Sequence, residues 1–440
     1  MSVWDEDGTV MFAGPRSWGE VSRQGGIVRK TVIIADDLTG ALDVVVPFAA
    51  REASVRVLLE DDAMAGAGSD DVLSVCVETR HLDADAAKDA VRAAFARLGD
   101  GSDILLKKTD SALRGNVGAE LEALLDASSA RVVHFIPAFP AMGRTTDEGV
   151  HLVDGVPVAK SAFGGDPLNP VTCSRVADVI AATSVVPVLE VSAGASLPAD
   201  FSGVAVYDAT TQGEIDDRVR EILQGSGPLA LAGCAGLARS LAAVLGAQAV
   251  RDVAGCASDL LVMCGSGNPA SRAQCAAARA VAPSFEVPVE AMIDPEWIDG
   301  PCACAFEREL QNALGAVRSL MLVDASVPVP ATAAAELSMS DDDLRARISS
   351  QLGSLFARLI CDLRPSAALI AGGDALLACL RVLGVAELVP FAEPAPGVVA
   401  AFVRVGGRKM VLASKSGGFG APELFLELAE YLTGRPPGST

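Results

Sequence analysis

Short apolar runs rich in Val and Ile alternate with helix-length segments over most of this 440-residue chain. That rhythm leaves few folds open. Thr31-Val32-Ile33-Ile34-Ala35 reads as a buried strand; it ends in Asp36-Asp37-Leu38-Thr39-Gly40 and runs into an apolar segment over 41–50. Further strands are predicted over 55–59, 72–77, 104–106 and 132–136, and helices over 84–98 and 118–127. Uninterrupted apolar strands separated by helices are the pattern of parallel sheets covered on both faces. Few aromatics beside abundant Ala, Val, Leu and Gly agree with it. The length is too great for one ordinary core. The expectation is an α/β chain of two domains, each a largely parallel sheet flanked by helices.

Residues 1–29 read as a polar extension, 30–250 as the first domain and 258–432 as the second. The segment 137–170 breaks the rhythm with Pro, Gly, Asp and Thr. It is predicted to be a long functional loop with a hairpin around Asp154-Gly155. In the second domain, strands are expected over 260–264, 285–289, 321–323 and 367–371, and helices over 269–281 and 341–363. The last helix places Leu344, Ile348, Leu352, Leu355, Phe356 and Leu359 on one side.

The formal net charge of −21 repels nucleic acid and anionic membrane surfaces. The first thirty residues lack the apolar core of an export signal, and no long apolar run suggests a membrane span. A soluble, cytoplasmic protein is expected, and the apolar composition is compatible with a homodimer. Ten scattered cysteines form no C-x-x-C pair and the three histidines show no ligand spacing, so no metal ligand is assigned. His134 lies within a predicted strand and reads as a hydrogen-bonded core residue; His151 and Arg144 lie in the 137–170 loop.

Against this acidic background, Lys107-Lys108-Thr109-Asp110-Ser111-Ala112-Leu113-Arg114-Gly115-Asn116 gathers three cations, a carboxylate and two hydroxyls between a strand and a helix. Lys and Arg can grip a small anion while Asp orients or deprotonates a hydroxyl. Asp36-Asp37 ends the first strand, as a helix cap or as a carboxylate at the active edge of the sheet. Three glycine turns follow strands in the second half: Gly265-Ser266-Gly267-Asn268-Pro269, Gly372-Gly373-Asp374 and Ser414-Lys415-Ser416-Gly417-Gly418-Phe419-Gly420. Glycine there lets main-chain N–H groups approach phosphate. The first turn also fits G-x-G-x-x-A with Glu286 about 20 residues on. That keeps open an NAD(P)-dependent dehydrogenase of a small hydroxy acid using Gly265-Ser266-Gly267, although such an enzyme leaves the cluster from Lys107 to Asn116 idle. A non-catalytic sensor is a third reading, without a recognisable partner domain.

Taken together, Ile34-Ala35-Asp36-Asp37-Leu38-Thr39-Gly40-Ala41, Glu78-Thr79-Arg80, the Lys107–Gly118 segment, Pro137-Ala138-Phe139-Pro140 with Gly143-Arg144-Thr145, and Asp166-Pro167-Leu168-Asn169-Pro170 resemble, in order, the motifs of the four-carbon acid sugar kinases. These are the threonate, erythronate and 3-oxo-tetronate kinases. Gly265-Ser266, Gly372-Gly373-Asp374 and Lys415-Ser416-Gly417-Gly418-Phe419-Gly420 resemble that family's nucleotide-contacting turns. The resemblance implies a substrate domain, a nucleotide domain and an active site in the cleft between them. There the ATP γ-phosphate passes to a terminal hydroxyl of a small sugar acid, with Mg²⁺ on the phosphates. Carried over, Asp37, Arg80, Lys108, Thr109, Asp110 and Ser111 contact substrate; the charge of Arg114 adds it to the same set, and Asp37 or Asp110 is expected to act as base. Ser266, Gly372, Gly373, Asp374, Ala375 and Gly417 contact ATP. Two departures stand out: Ala375-Leu376 replaces a frequent Thr or Ser pair, and Gly418 stands where Asn is common.

Overall fold

The computed structural model describes residues 29–49, 53–59, 70–166, 169–225, 227–247, 254–314, 319–330, 332–416 and 418–436, with the backbone of a strand pair, Val3–Trp4 and Val10–Met11. The rest of the 1–29 extension, and the expected nucleotide contact Gly417, lie outside the described residues.

Both domains build one continuous fifteen-stranded sheet. In the first domain eight strands run parallel, in the order Val188–Val191, Gly203–Tyr207, Val132–Ile136, Leu229–Gly233, Ile104–Lys108, Thr31–Ala35, Val72–Cys76 and Val55–Leu58. In the second, Arg408–Lys415, Ala367–Ala371, Leu260–Cys264, Leu320–Asp324 and Ser284–Glu286 run parallel. Between the two blocks stands an antiparallel hairpin, Glu387–Ala395 and Val398–Val405. Its first strand pairs with Val55–Leu58 through Glu387↔Leu58 and Leu388↔Val57, which stitches the domains together.

The hydrophobic layers follow the sheet. One apolar face is shared by both domains, running from Ile33, Leu42 and Tyr207 through Leu388 and Val399 to Met263, Phe356 and Ile370. The opposite face is divided, with Ile34, Phe95, Leu121 and Phe135 under the first domain and Val262, Leu322, Phe425 and Leu428 under the second. Strand alternation sends successive side chains to opposite faces, so neighbours such as Ile33 and Ile34 enter different cores.

Several helices begin at a side-chain cap. Asp37 caps Leu38–Val45, Asp83 caps Ala84–Leu98, and Thr211 with Glu214 forms a capping box on Gln212–Leu223. Asn268 followed by Pro269 opens Pro269–Arg279. Within the 137–170 segment, a three-stranded antiparallel sheet forms from Arg144–Asp147, Val150–Val153 and Val156–Pro157, with the expected turn at Asp154-Gly155; residues 167–168 lie outside the described residues. The strand expected over 285–289 ends at Glu286, because Pro288 opens a short helix, Val289–Ile293.

Candidate active site

Register brings together the residues expected to contact substrate. Lys108 is the last residue of its strand and pairs with Ala35 on one side and Gly233 on the other. The residues after these strands therefore share one edge of the sheet. Lys108 Nζ lies 2.8 Å from Asp36 Oδ1 and 2.6 Å from Asp37 Oδ1. Arg80 Nη2 lies 2.7 Å from Asp36, 2.9 Å from Asp37 and 3.6 Å from Asp110. Arg114 grips Asp110 with two parallel bonds of 2.9 and 3.0 Å and reaches Asp166 at 3.2 Å. Three cations thus hold four carboxylates in one network.

Burial alone would push these carboxyls up. The Arg80 and Lys108 charges outweigh it at Asp36 and Asp37, as Arg114 and Arg80 do at Asp110, so all three stay ionised below the usual carboxylate range. Conversely, burial opposes the Lys108 ammonium, but Asp36 and Asp37 raise it above its ordinary value.

Lys107 does not belong to this cluster, contrary to the sequence reading. The strand continues through 107–108, and alternation turns Lys107 to the other face, fully buried, with Nζ 3.0 Å from Glu120 Oε2. Asp36, not among the residues expected to contact substrate, receives both Arg80 and Lys108. Its position directly after the strand was the available signal.

The loop from Thr109 onward is held in a set shape. Leu113 adopts φ +64 and Glu78, before Arg80, adopts φ +50, a conformation uncommon outside glycine. Asn116 Nδ2 donates to the Thr79 and Leu82 carbonyls and clips the two loops together. His151 is buried, with Nε2 2.9 Å from the Ser111 carbonyl oxygen and Nδ1 3.1 Å from Thr146 Oγ1. Ser111 is thereby fixed through its main chain. Thr109 is 1% exposed, and its Oγ1 has no hydrogen-bond partner among the described residues. A buried hydroxyl left open at such a site suits a ligand hydroxyl or a water.

Burial drives the His151 imidazole down to about 4, and that of His134, bonded to Tyr207 Oη at 2.8 Å, to about 4 as well. Both rings are neutral in the fold but titrate near 6.5 when unfolded. The unfolded chain therefore binds more protons between these values, and stability falls as pH drops from about 6.5 toward 4. The urea midpoint should decline over that window, and the decline should be shallower in His151→Gln.

The three glycine turns of the second domain also converge. Gly265 N–H donates to the Ala371 carbonyl at 2.9 Å, and Gly372 N–H to the Lys415 carbonyl at 3.3 Å. A Cβ on Gly372 would lie 3.5 Å from Ser266 N. The third turn is tied in by Gln274 Nε2, which donates to the Phe419, Gly420 and Ala421 carbonyls at 2.8–3.1 Å. Lys415 is fully buried beside this turn with Nζ 3.1 Å from Ser271 Oγ, and burial lowers its ammonium to about 8. Ala375 is buried in helix Gly373–Val382, whereas Asp374 is exposed on its first turn.

The two groups meet. Thr39 Oγ1 donates to Asp37 Oδ2 at 2.8 Å, and a Cβ on Gly373 would lie 3.3 Å from the Thr39 methyl. Arg381, on the helix that Gly373 opens, ion-pairs with Glu78 across the same seam. Away from it, Cys264, Cys275 and Asp324 bring potential ligand atoms within 4.8 Å of one another. Arg279, 2.6 Å from Asp324, already supplies positive charge to that trio.

Two family models cover most of the chain: a sugar-binding N-terminal domain over residues 31–241 and a nucleotide-binding C-terminal domain over 261–425. The chain is 30% identical to a D-threonate kinase of Salmonella typhimurium, over 92% of this chain and 98% of that protein. It is 28% identical to a 3-oxo-tetronate kinase of Methylobacterium radiotolerans, over 89% and 96%. A solved structure of a Salmonella typhimurium protein superposes with a TM-score of 0.73 at 23% identity, covering 90% of this chain and 98% of that one, and supports the fold. None of the described helices is long and apolar enough to cross a membrane.

Proposed function

The chain belongs to the four-carbon acid sugar kinase family, and from that premise we propose that it transfers the γ-phosphate of ATP to a terminal hydroxyl of a four-carbon sugar acid. The observation that carries this reading is the seam at Thr39 and Gly373, where an acid–base cluster abuts the glycine turn that opens helix Gly373–Val382. Phosphoryl transfer asks a protein mainly for positioning and charge neutralisation. The cluster offers both. Its cations are already matched by carboxylates, so it suits a polyol chain, whose hydroxyls donate to Asp37 and Asp110, as well as the terminal carboxylate. Arg80, Lys108 and Arg114 face that carboxylate, with the Thr109 hydroxyl free to complete the set.

On the other side, Ser266 and Gly373 present backbone to the phosphates, as Gly417 would by resemblance, while Gly372, whose N–H is held by the Lys415 carbonyl, shapes the turn. Main-chain donors of this kind fit a polyphosphate. Mg²⁺ would neutralise the β- and γ-phosphates. Since these turns offer N–H groups rather than a ring of carboxylates, phosphate oxygens and water fit as its ligands. The nicotinamide alternative gains no support from the relatives found, and it leaves the cluster around Lys108 without a task. A cytoplasmic location and assembly as a homodimer belong to the same proposal.

The test is ADP release measured over threonate, erythronate and 3-oxo-tetronate stereoisomers. One acid should give saturable turnover, with ADP and phosphorylated acid in equal amounts. ATP hydrolysis indifferent to every acid, or reduction of NAD(P) by one of them, would overturn the reading.

A further inference from the structure

The kinase reading requires the attacking hydroxyl to lose its proton, and the two carboxylates that sequence motifs offer for this are held in ion pairs that leave them able to accept a hydrogen bond but weak as bases. Asp37 accepts from Lys108, Thr39 and Gly40 N and faces Arg80; Asp110 accepts from Arg114 and from Ala112 N. Resting on that reading, we propose that Asp43 is the general base, taking the proton from the acceptor hydroxyl as it attacks the γ-phosphate.

Position is the first argument. Asp43 lies on helix Leu38–Val45, four residues after Thr39 and three after Gly40. Residues at these spacings share a helix face, and helical side chains lean toward the N-terminus. The Asp43 carboxyl therefore leans over the Thr39–Gly40 turn. Lys108 Nζ sits against that turn, 1.9 Å from where a Gly40 Cβ would be, and Thr39 meets Gly373. One small surface thus joins the sugar-side ammonium, the nucleotide-side turn and the face carrying Asp43.

Availability is the second argument. Asp43 is half-buried and makes no hydrogen bond or ion pair among the described residues. The charged groups facing it come from four elements: Lys108 at a strand end, Asp37 at its own helix cap, Glu393 on the interdomain hairpin and Arg239 on helix Ala235–Val244. Arg239 is held by Glu393 at 2.6 Å and stacks over Phe139, leaving Asp43 unclaimed. Burial is the largest influence on the Asp43 carboxyl. Lys108 opposes it while Asp37 and Glu393 add to it, and the group is pushed up to about 7. A base near the operating pH is matched to its task, whereas a carboxylate locked in ion pairs is a weak one.

The step balances simply. The hydroxyl proton moves to a carboxylate oxygen of Asp43, and the hydroxyl oxygen forms a bond to the γ-phosphorus. The bond from that phosphorus to the β-bridging oxygen breaks, with its electron pair leaving on ADP. Protonated Asp43 then returns its proton to solvent.

The experiment compares wild type with Asp43→Asn, an isosteric change at an unpaired side chain, and with Asp43→Ser as a second variant. It measures kcat from pH 5.5 to 9 with the acid that turns over, and binding of ATP and of that acid separately. Both variants should lose about 10²–10⁴-fold in kcat, keep both affinities within about threefold, and lose the rise in kcat through pH 7 expected of wild type. A kcat within about threefold of wild type, an unchanged pH limb, or loss of both affinities together with kcat overturns Asp43 as the base. Those outcomes leave the kinase reading standing, because it rests on wild-type turnover. If wild type releases no ADP with any acid, the kinase reading fails and the base with it.

Discussion

Lys108→Met is expected to lose about 10²–10³-fold in kcat/KM and to destabilise the fold by about 3–5 kcal/mol. The ammonium joins Asp36 and Asp37 in a setting where Asp36 is 2% exposed and Lys108 itself is 6% exposed. Removing the ammonium leaves Asp36 and Asp37 to share Arg80 alone, so buried negative charge is under-compensated, which costs more than the ammonium contributes when the network is intact. Methionine keeps the stem volume, so the loss is electrostatic rather than a cavity. Asp36 and Asp37 are held below their unfolded titration range, so their contribution is present above about pH 4 and fades as pH falls through the folded values. In the variant Asp36 keeps Arg80 but loses the ammonium, and protonation relieves part of the strain. The stability gap between the proteins should therefore narrow from pH 7 to pH 5. Urea unfolding at both values checks this, and a gap under about 1 kcal/mol at pH 7 would contradict the buried-pair account.

The same strand shows how far sequence carries. The helices over 84–98 and 341–363 and the strands over 31–35, 132–136, 260–264 and 367–371 were legible because periodicity, caps and breakers all agree there. The end of the strand Ile104–Lys108 was not. Two consecutive lysines read as loop, yet one enters an ion pair with Glu120 on one face and the other joins the aspartates at the sheet edge. Only the partners, which lie far along the chain, justify burying them. The interdomain hairpin was also hidden. Pro390 and Pro394 in Glu387–Ala395 argue against a strand, and the pairing accommodates them through register shifts between Pro390 and Ala392 and between Ala392 and Ala395.

The candidate site divides the same way. Residue types and order marked Asp37, Arg80, Lys108 and Asp110. The roles of Asp36 as shared acceptor, His151 as the support for Ser111, and Asp43 as an unclaimed carboxyl depend on distances between segments that no local pattern encodes. A reading from motifs alone favours residues beside glycines and lysines. It overlooks a carboxylate one and a half turns into a helix.

Gly372→Ala tests the opposite lobe and should separate nucleotide binding from sugar-acid binding. Gly372 has φ +118 and ψ 114, a region that side-chain-bearing residues avoid, and a Cβ would sit 3.4 Å from Gly265 C and 3.5 Å from Ser266 N. Backbone strain of about 1–3 kcal/mol would be relieved by turning the segment, which moves its N–H off the Lys415 carbonyl and Gly373 off Thr39. Since phosphates are to be held by main chain here, no side chain can compensate. ATP affinity should weaken about 10–100-fold, the equivalent of about 1.4–2.8 kcal/mol, while affinity for the sugar acid stays near wild type. Titration calorimetry with each ligand reads the two effects apart. Equal weakening for both ligands would mean that the turn supports the whole interdomain seam rather than the triphosphate. Unchanged ATP affinity would remove Gly372 from the nucleotide site. The contrast with Lys108→Met is the sharper test: one variant should fail on the acid and the chemistry, the other on the nucleotide, although Thr39 and Gly373 bring their surroundings into contact.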